Sequence, residues 1–321
     1  MLVVAATLGS APHMGTAEAA PAKSVATAGN PLAGVSLYVD PRNPASLAAA
    51  SLASTDPEAA ALLSRIGNTP TSVWFGDWFG TDVVAKRVDT TMTGAASTGT
   101  VPVLVLYAIP HRDCGGYSAG GLSGPSAYHD WVRQVVAGIK GRKAAVIVEP
   151  DALPKLTACL DATGQQQRLS MLRDAVAQLT AVPSLAVYLD AGQSGWNSAS
   201  VMAQRLRDAG VSMARGFSLN VAHFSPTAKE ETYGDQLGGL LGGRHYVVDT
   251  SRNGLGPAST WCNPPGEALG HAPTAVTTGL LADAYLWVKH PGLSDGTCNG
   301  GPPAGQWWTS YALGLAERAA T

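Results

Sequence analysis

The stretches VPVLVLYAIP (101–110) and AAVIVEPD (144–151) are apolar on consecutive positions and then turn abruptly polar. A strand with one face in water alternates apolar with polar residues. One covered on both faces does not, and such strands belong to parallel sheets packed under helices. Six further runs read the same way: VSLYVD (35–40), TSVWFGDW (71–78), LAVYLDAG (185–192), ARGFSLNV (214–221), HYVVDTS (245–251) and AYLWVKHP (284–291). Between them lie segments such as 127–139 and 168–179, whose apolar spacing is that of an amphipathic helix. The alternation predicts an α/β fold: a single-domain, distorted (β/α) barrel, TIM-like, with seven to eight strands. A doubly wound open sheet is the competing architecture. No strand runs into a GxGxxG or Walker-type loop, so a nucleotide site has no support.

The remaining composition narrows the class. With 21 basic against 23 acidic residues in 321, the chain carries no footprint for nucleic acid or an anionic membrane, and a neutral polar substrate fits better. Residues 1–20 combine an apolar stretch with small residues ending AEAA, which reads as the later part of a secretory signal. The basic start of such a signal is missing, so Met1 is expected to lie inside a longer one. Residues 21–30 read as a linker and 31–321 as the folded unit. Four cysteines, Cys114, Cys159, Cys262 and Cys298, show no metal-binding spacing. In an exported chain an even count favours two disulfides, and spacing leaves all three pairings open. No metal or organic cofactor is expected.

The polar groups at the strand exits carry the chemistry. They are Tyr107 with Arg112 and Asp113, Glu149 with Asp151, Asp190, Asp249 with Arg252, and Lys289 followed by Asp295. In a parallel barrel these exits converge on one face, where active sites are built. A ring of carboxylates there is costly as packing and useful as chemistry. Hydrolysis of a glycosidic bond with water uses two: one protonated on the leaving oxygen, one activating water. Asp151 follows an apolar strand, and a nearby carboxylate such as Asp113 would raise its pKa by like-charge repulsion. The competing role for Asp151 is a helix N-cap. Trp74, Trp78, Trp196, Trp261, Trp287, Trp307 and Trp308 are many beside four Phe, and indole faces stack on pyranose rings. Trp196 and Trp261, next to loop residues, suit a sugar groove better than Trp287 inside a strand.

The segments YAIPHRDCGGYSAGG, VIVEPDAL, LDAGQSGW, VVDTSRNGLGP, WCNPP and WVKHPGLSDGTC resemble glycoside hydrolase family 6, the inverting cellulases, and look closest to its actinobacterial members. The resemblance covers the chain from about residue 30 onward. It implies Asp151 as general acid, Asp113 as the carboxylate that tunes it, and Asp295 as base, acting directly or through relayed water. Tyr107 is implied to crowd the sugar at the scissile bond. Trp74, Asp190, Trp196, Asn220, Trp261 and Lys289 fall on substrate-binding positions. The implied disulfides are Cys114 with Cys159 and Cys262 with Cys298. The substrate implied is a β-1,4-glucan or cello-oligosaccharide, handled by a monomer.

Two positions depart from the family pattern. DAGHSxW becomes DAGQSGW, placing Gln193 where His is usual, and PGExDG becomes PGLSDG, placing Leu293 where Glu is usual. Gln can still hydrogen-bond a hydroxyl, whereas Leu cannot. Only 16 residues separate Cys114 from Trp131 and 26 follow Asp295, short loops that point to an open, endo-acting cleft. The alternatives are an exo-acting cellobiohydrolase of the same family and a weakened, non-hydrolytic glucan binder.

Overall fold

A computed structural model describes residues 1, 2 and 29–319. The signal-like segment 1–20 and the linker 21–30 lie, but for their ends, outside the described residues. Helices α1 (Pro44–Leu52) and α2 (Pro57–Gly67) precede strand β1 (Val73–Gly76). There follow α3 (Val84–Ser97), β2 (Val103–Tyr107), α4 (Pro125–Ile139), β3 (Ala144–Val148), α5 (Ala162–Thr180) and β4 (Leu185–Asp190). The chain ends with α6 (Ala199–Asp208), β5 (Gly216–Leu219), α7 (Thr227–Leu240), β6 (His245–Asp249), β7 (Ala282–Leu286) and α8 (Thr309–Arg318).

All seven strands pair in parallel and in chain order, β1 to β7. Right-handed crossovers between strands taken in sequence place every connecting helix on the same face, so the sheet curls into a barrel-like wall. A doubly wound sheet would reverse its order midway; this one does not. The expected eighth strand, VSLYVD, is reduced to one parallel bridge between Leu37 and Val101. β1 and β7 form no ladder. They meet instead through Ser72, whose N–H donates to the Trp287 carbonyl at 3.0 Å and whose hydroxyl donates to the Val288 carbonyl at 2.5 Å.

Period-two geometry explains why consecutive apolar residues were needed. In β2, Leu104 and Leu106 pack outward under the helices while Val103 and Val105 fill the inside of the barrel. β3 and β4 repeat this, with Ala145, Ile147, Ala186 and Tyr188 turned inward and Val146, Val148, Val187 and Leu189 outward. The outward layer meets Trp131, Val132 and Val135 of α4 and Leu172, Val176 and Leu179 of α5, all essentially buried. Truncating one of these large side chains to Ala costs about 2–5 kcal/mol. Side chains start the helices where the sequence provides caps: Asn43 accepts from the N–H of Ser46 before α1, and Asp161 from that of Gly164 before α5. A separate small core joins α1, α2 and α8 to Trp287 and Leu269, and Trp287 is core there, as its strand position suggested.

Candidate active site

The strand exits are held open by carboxylates that never leave the protein. Glu149, one residue beyond β3, accepts the backbone N–H groups of Ala108 at 3.0 Å and Ile109 at 3.1 Å, tying the β2 exit to β3. Asp190, the last residue of β4, accepts from Asp151 N–H at 2.9 Å, Gly192 N–H at 3.1 Å and the Ser218 hydroxyl at 3.1 Å. Asp249, the last of β6, takes the N–H groups of Ala222, Ser251, Val288 and Lys289. Where neighbouring strands end, their N–H groups have no ladder partner, and a buried carboxylate satisfies several at once. The arrangement bends the backbone sharply. Eight of the ten non-glycine residues with left-handed φ among the described residues lie here: His111, Asp113, Cys114, Glu149, Asp151, Asn220, Ala222 and Asn263. Strain of this kind persists only where the surroundings over-determine it, and it gathers at working sites.

Asp151 therefore leaves β3 at a φ of 71°, with its N–H pinned to Asp190. It caps no helix, because the residues after it form turns. Its carboxylate meets two bases: Lys155 Nζ stands 3.2 Å from Oδ2, and His223 Nε2 faces Oδ1 at 4.0 Å. Lys155 also pairs with Oδ1 of Asp113, whose Oδ2 accepts the Ser118 N–H at 2.9 Å. The expected repulsion between Asp113 and Asp151 is thus replaced by a shared ammonium. Burial pushes the Asp151 carboxyl upward, but His223 and Lys155 outweigh it and hold the group below the ordinary carboxylate value. Asp190 goes the other way: burial and the charge of Asp151 lift it to about 8.

Asp295, on the loop after β7, is enclosed more completely. Its Oδ2 accepts from Arg252 Nη1 at 2.9 Å and Asn263 N–H at 3.1 Å, and Oδ1 lies 3.1 Å from Lys289 Nζ. Asn263 closes the bracket by accepting the Asp295 N–H at 2.8 Å. Burial alone would raise this carboxyl, yet Arg252 and Lys289 bring it down to about 2. Lys289 is lowered in turn, chiefly by burial. The disulfides are Cys114–Cys159 and Cys262–Cys298, the pairing implied by the family resemblance. The first staples the Asp113 loop to the segment after Asp151; the second staples the Asn263 loop to the segment after Asp295.

Aromatic side chains line the same face. Tyr107 meets Trp74 edge-on, ring centroids 5.2 Å apart, and the Arg112 guanidinium lies 4.5 Å from its ring centre. Burial raises the Tyr107 hydroxyl well above its usual value, so it stays protonated. Trp196 carries Lys155 Nζ 5.9 Å above its ring. Trp261 is exposed and pairs at 6.1 Å with the exposed Tyr117. Asp190 and Asn220, expected as sugar contacts, hydrogen-bond groups of the protein itself. Both are buried, and Asn220 spends its amide on the Ser225 backbone and the Asp249 carbonyl. Their polar atoms brace the loops beneath the cleft, because strand exits leave backbone groups to satisfy. Three groups at the site went unread in the sequence. Lys155 had a signal, being four residues beyond Asp151. His223 and Glu230, which accepts the Ser194 N–H, had none, since only the fold brings the first to Asp151 and the second to the loop after β4.

Comparison with known proteins agrees with this geometry. Over 282 residues the chain is 45% identical to endoglucanase A of Cellulomonas fimi, covering 88% of this chain and 61% of that protein. It thus spans under two thirds of that relative. With endoglucanase 1 of Streptomyces halstedii it shares 42% identity over 284 residues, 86% of each. The solved structure of the endoglucanase Cel6 from Mycobacterium tuberculosis, in complex with methyl-cellobiosyl-4-deoxy-4-thio-β-D-cellobioside, superposes with a TM-score of 0.87 at 48% identity, covering 90% of this chain and 99% of that one. The family model of the glycosyl hydrolases family 6 matches residues 32–319, so the barrel and its ring of carboxylates belong to a member of that family.

Proposed function

We propose that the chain is an exported endo-β-1,4-glucanase that hydrolyses internal bonds of cellulose-like glucans with inversion. The observation that carries this reading is the pair of unlike carboxylates on one face: Asp151, partly exposed beside a lysine and a histidine, and Asp295, enclosed between two cations that hold it ionised. The names of the relatives and the thio-oligosaccharide bound to the neighbour point to the same substrate class.

In this reading a glucan lies across Trp74, Trp196 and Trp261, with Lys289 beside the reacting sugar. Tyr107 presses on the ring at the cleavage point and favours its distorted form. Asp151, once protonated, gives its proton to the glycosidic oxygen as the bond to the anomeric carbon breaks. Water attacks that carbon from the opposite face, and its proton passes towards Asp295. A carboxylate held near 2 is a weak base, so Asp295 serves better as the charge at the end of a water relay than as a direct acceptor. Asp113 holds Lys155 and, through it, the charge around Asp151. No cofactor, nucleic acid or membrane enters this scheme, the unit is 31–321, and it acts as a monomer. The signal-like start and two disulfides support export.

The test is twofold. Carboxymethyl-cellulose should lose viscosity well before much reducing sugar appears, and NMR should show the α-anomer first. A β-anomer as first product overturns inversion. One observation favours a second, more processive reading. Tyr117, from the loop after β2, reaches Trp261 and lies against Gly296, where a Cβ would meet its ring at 2.3 Å, so the loops after β2 and β7 touch. Release of cellobiose with little change in viscosity, converted to rapid thinning by Tyr117→Ala, would establish it.

A further inference from the structure

The family pattern has His in the DAGHSxW segment, and this chain has Gln193 there. A histidine nevertheless stands at the site. His223 packs edge-on against Trp196 of that same segment, ring centroids 4.5 Å apart, with Nε2 facing Asp151 Oδ1 at 4.0 Å. Its position is fixed. Asn220 and Ala222 take left-handed φ values of 64° and 63°, and the Ala222 N–H is held by Asp249 at 3.0 Å. The Asn220 N–H donates to the Gly192 carbonyl at 2.7 Å. The ring is itself buried.

We propose that His223 acts through Asp151 as a positioning residue that stores the catalytic proton. This rests on the reading of Asp151 as general acid. In the free enzyme the proton sits on the imidazole, and the pair is imidazolium facing carboxylate. A sugar laid over Trp196 displaces water and removes the solvation that favours separated charges. The proton then moves from Nε2 to Oδ1, leaving neutral imidazole beside a carboxylic acid. Asp151 passes it to the glycosidic oxygen as the C–O bond breaks, and solvent returns one proton to His223 for each proton released on the Asp295 side. The 4.0 Å gap closes to a hydrogen bond with a small rotation, as catalytic contacts commonly tighten on binding. Charged groups approach the ring from several elements. Asp151 and Lys155 approach from the loop after β3, Asp190 lies behind Asp151, and Glu230 of α7 is within electrostatic reach. Arg252, from the loop after β6, donates to the Ala222 carbonyl and lies 4.3 Å from the Phe224 ring centre.

A shared proton keeps the pair singly protonated to higher pH than a lone carboxyl allows. In His223→Asn, the alkaline limb of kcat/KM for a soluble cello-oligosaccharide should move at least about one pH unit towards acid, an approximately tenfold loss on that limb. An aryl cellobioside with a good leaving group should keep its rate. A general loss with an unmoved limb would mean a packing role only and overturn the proposal. If neither His223→Asn nor His223→Gln folds, NMR titration of His223 decides: its midpoint should fall in Asp151→Asn relative to the unsubstituted enzyme, and an unchanged midpoint refutes the coupling. Failure of the underlying reading looks different: Asp151→Ala would then lose activated and unactivated substrates equally, whatever His223 does.

Discussion

The two halves of the cleft hold the same kind of charge in opposite ways. On one side the Asp151 carboxylate is 20% exposed and meets Lys155, itself 30% exposed, and a histidine that can change its charge. On the other, Asp295 is 5% exposed between Arg252 at 0% and Lys289 at 15%, whose charges hold it ionised. Inverting hydrolysis needs one group that takes up and gives away a proton and one site of constant negative charge. The difference in enclosure supplies both from the same residue type.

Removing the changeable half should have the largest effect. Asp151→Ala is expected to slow cleavage of unactivated glucans about 10³-fold, while substrates with good leaving groups lose far less, because only poor leaving groups need the proton. The ratio of the two losses, measured on cellotetraose and a dinitrophenyl cellobioside, is the check, and equal losses would erase the contrast between the halves.

Removing the constant half should hurt both substrates alike, by about 10²-fold, since water activation does not depend on the leaving group. Asp295→Ala also strands Arg252 and Lys289 inside the protein, so it should destabilise the fold by about 3–5 kcal/mol in urea unfolding. The linkage has a definite sign. The Asp295 pKa is lowered from 3.8 to about 2, so the native state resists protonation more than the unfolded chain does. Its stabilisation is present above the unfolded carboxylate value and is lost as pH falls from about 4 towards 2, amounting to about 2 kcal/mol. A urea midpoint that drops across this window in the unsubstituted protein and drops less steeply in Asp295→Asn would sharpen the comparison; identical pH profiles would break it.

A smaller effect separates the bracing carboxylates from the reacting ones. Asp190 lies at about 8, raised by burial first and by Asp151 second, so the native state keeps a proton that the unfolded chain sheds near 4. Stability should therefore fall as pH rises from about 4 to 8, the reverse of Asp295. Asp190→Asn mimics the protonated form, with its amide facing the Ser218 hydroxyl and its oxygen still accepting from Asp151 and Gly192. Thermal unfolding at pH 8 should show the variant equal to or above the parent; a large loss would mean that the ionised form is the one that braces the loop.

How far the site could be read in advance follows from where its information is stored. The strands were legible because burial on two faces leaves a local mark, as in Val103 to Leu106, and only VSLYVD misled, its apolar residues serving a single bridge at Val101. Asp113, Asp151 and Asp295 stood out through motif and strand-exit position. What sequence could not separate was which carboxylates face the cleft: Asp190 and Asp249 sit at strand ends just as prominently, yet their oxygens are consumed by backbone N–H groups of other strands. The charge on Asp151 was misjudged for the same reason. Repulsion from Asp113 was read from the sequence, whereas the lysine four residues beyond Asp151 was passed over and a histidine 72 positions away leaves no local mark.

The smallest expected effect concerns Leu293, two residues before Asp295 and bridged through its backbone to Trp307. Leu293→Glu returns a hydrogen-bonding carboxylate to the rim of the locked half without touching Arg252 or Lys289. A charged contact to a sugar hydroxyl is worth about 1.5–3 kcal/mol when fully made, and less at a partly exposed position, so KM should fall several-fold, up to about tenfold. Asp295 is already held by two cations and an N–H, so one further negative charge should leave it ionised and kcat within about twofold. Steady-state kinetics on cellotetraose and cellohexaose separate the two constants. If instead the parent binds these sugars without turning them over, and Leu293→Glu restores kcat, the constant half is incomplete as it stands and the chain is a glucan binder derived from a hydrolase.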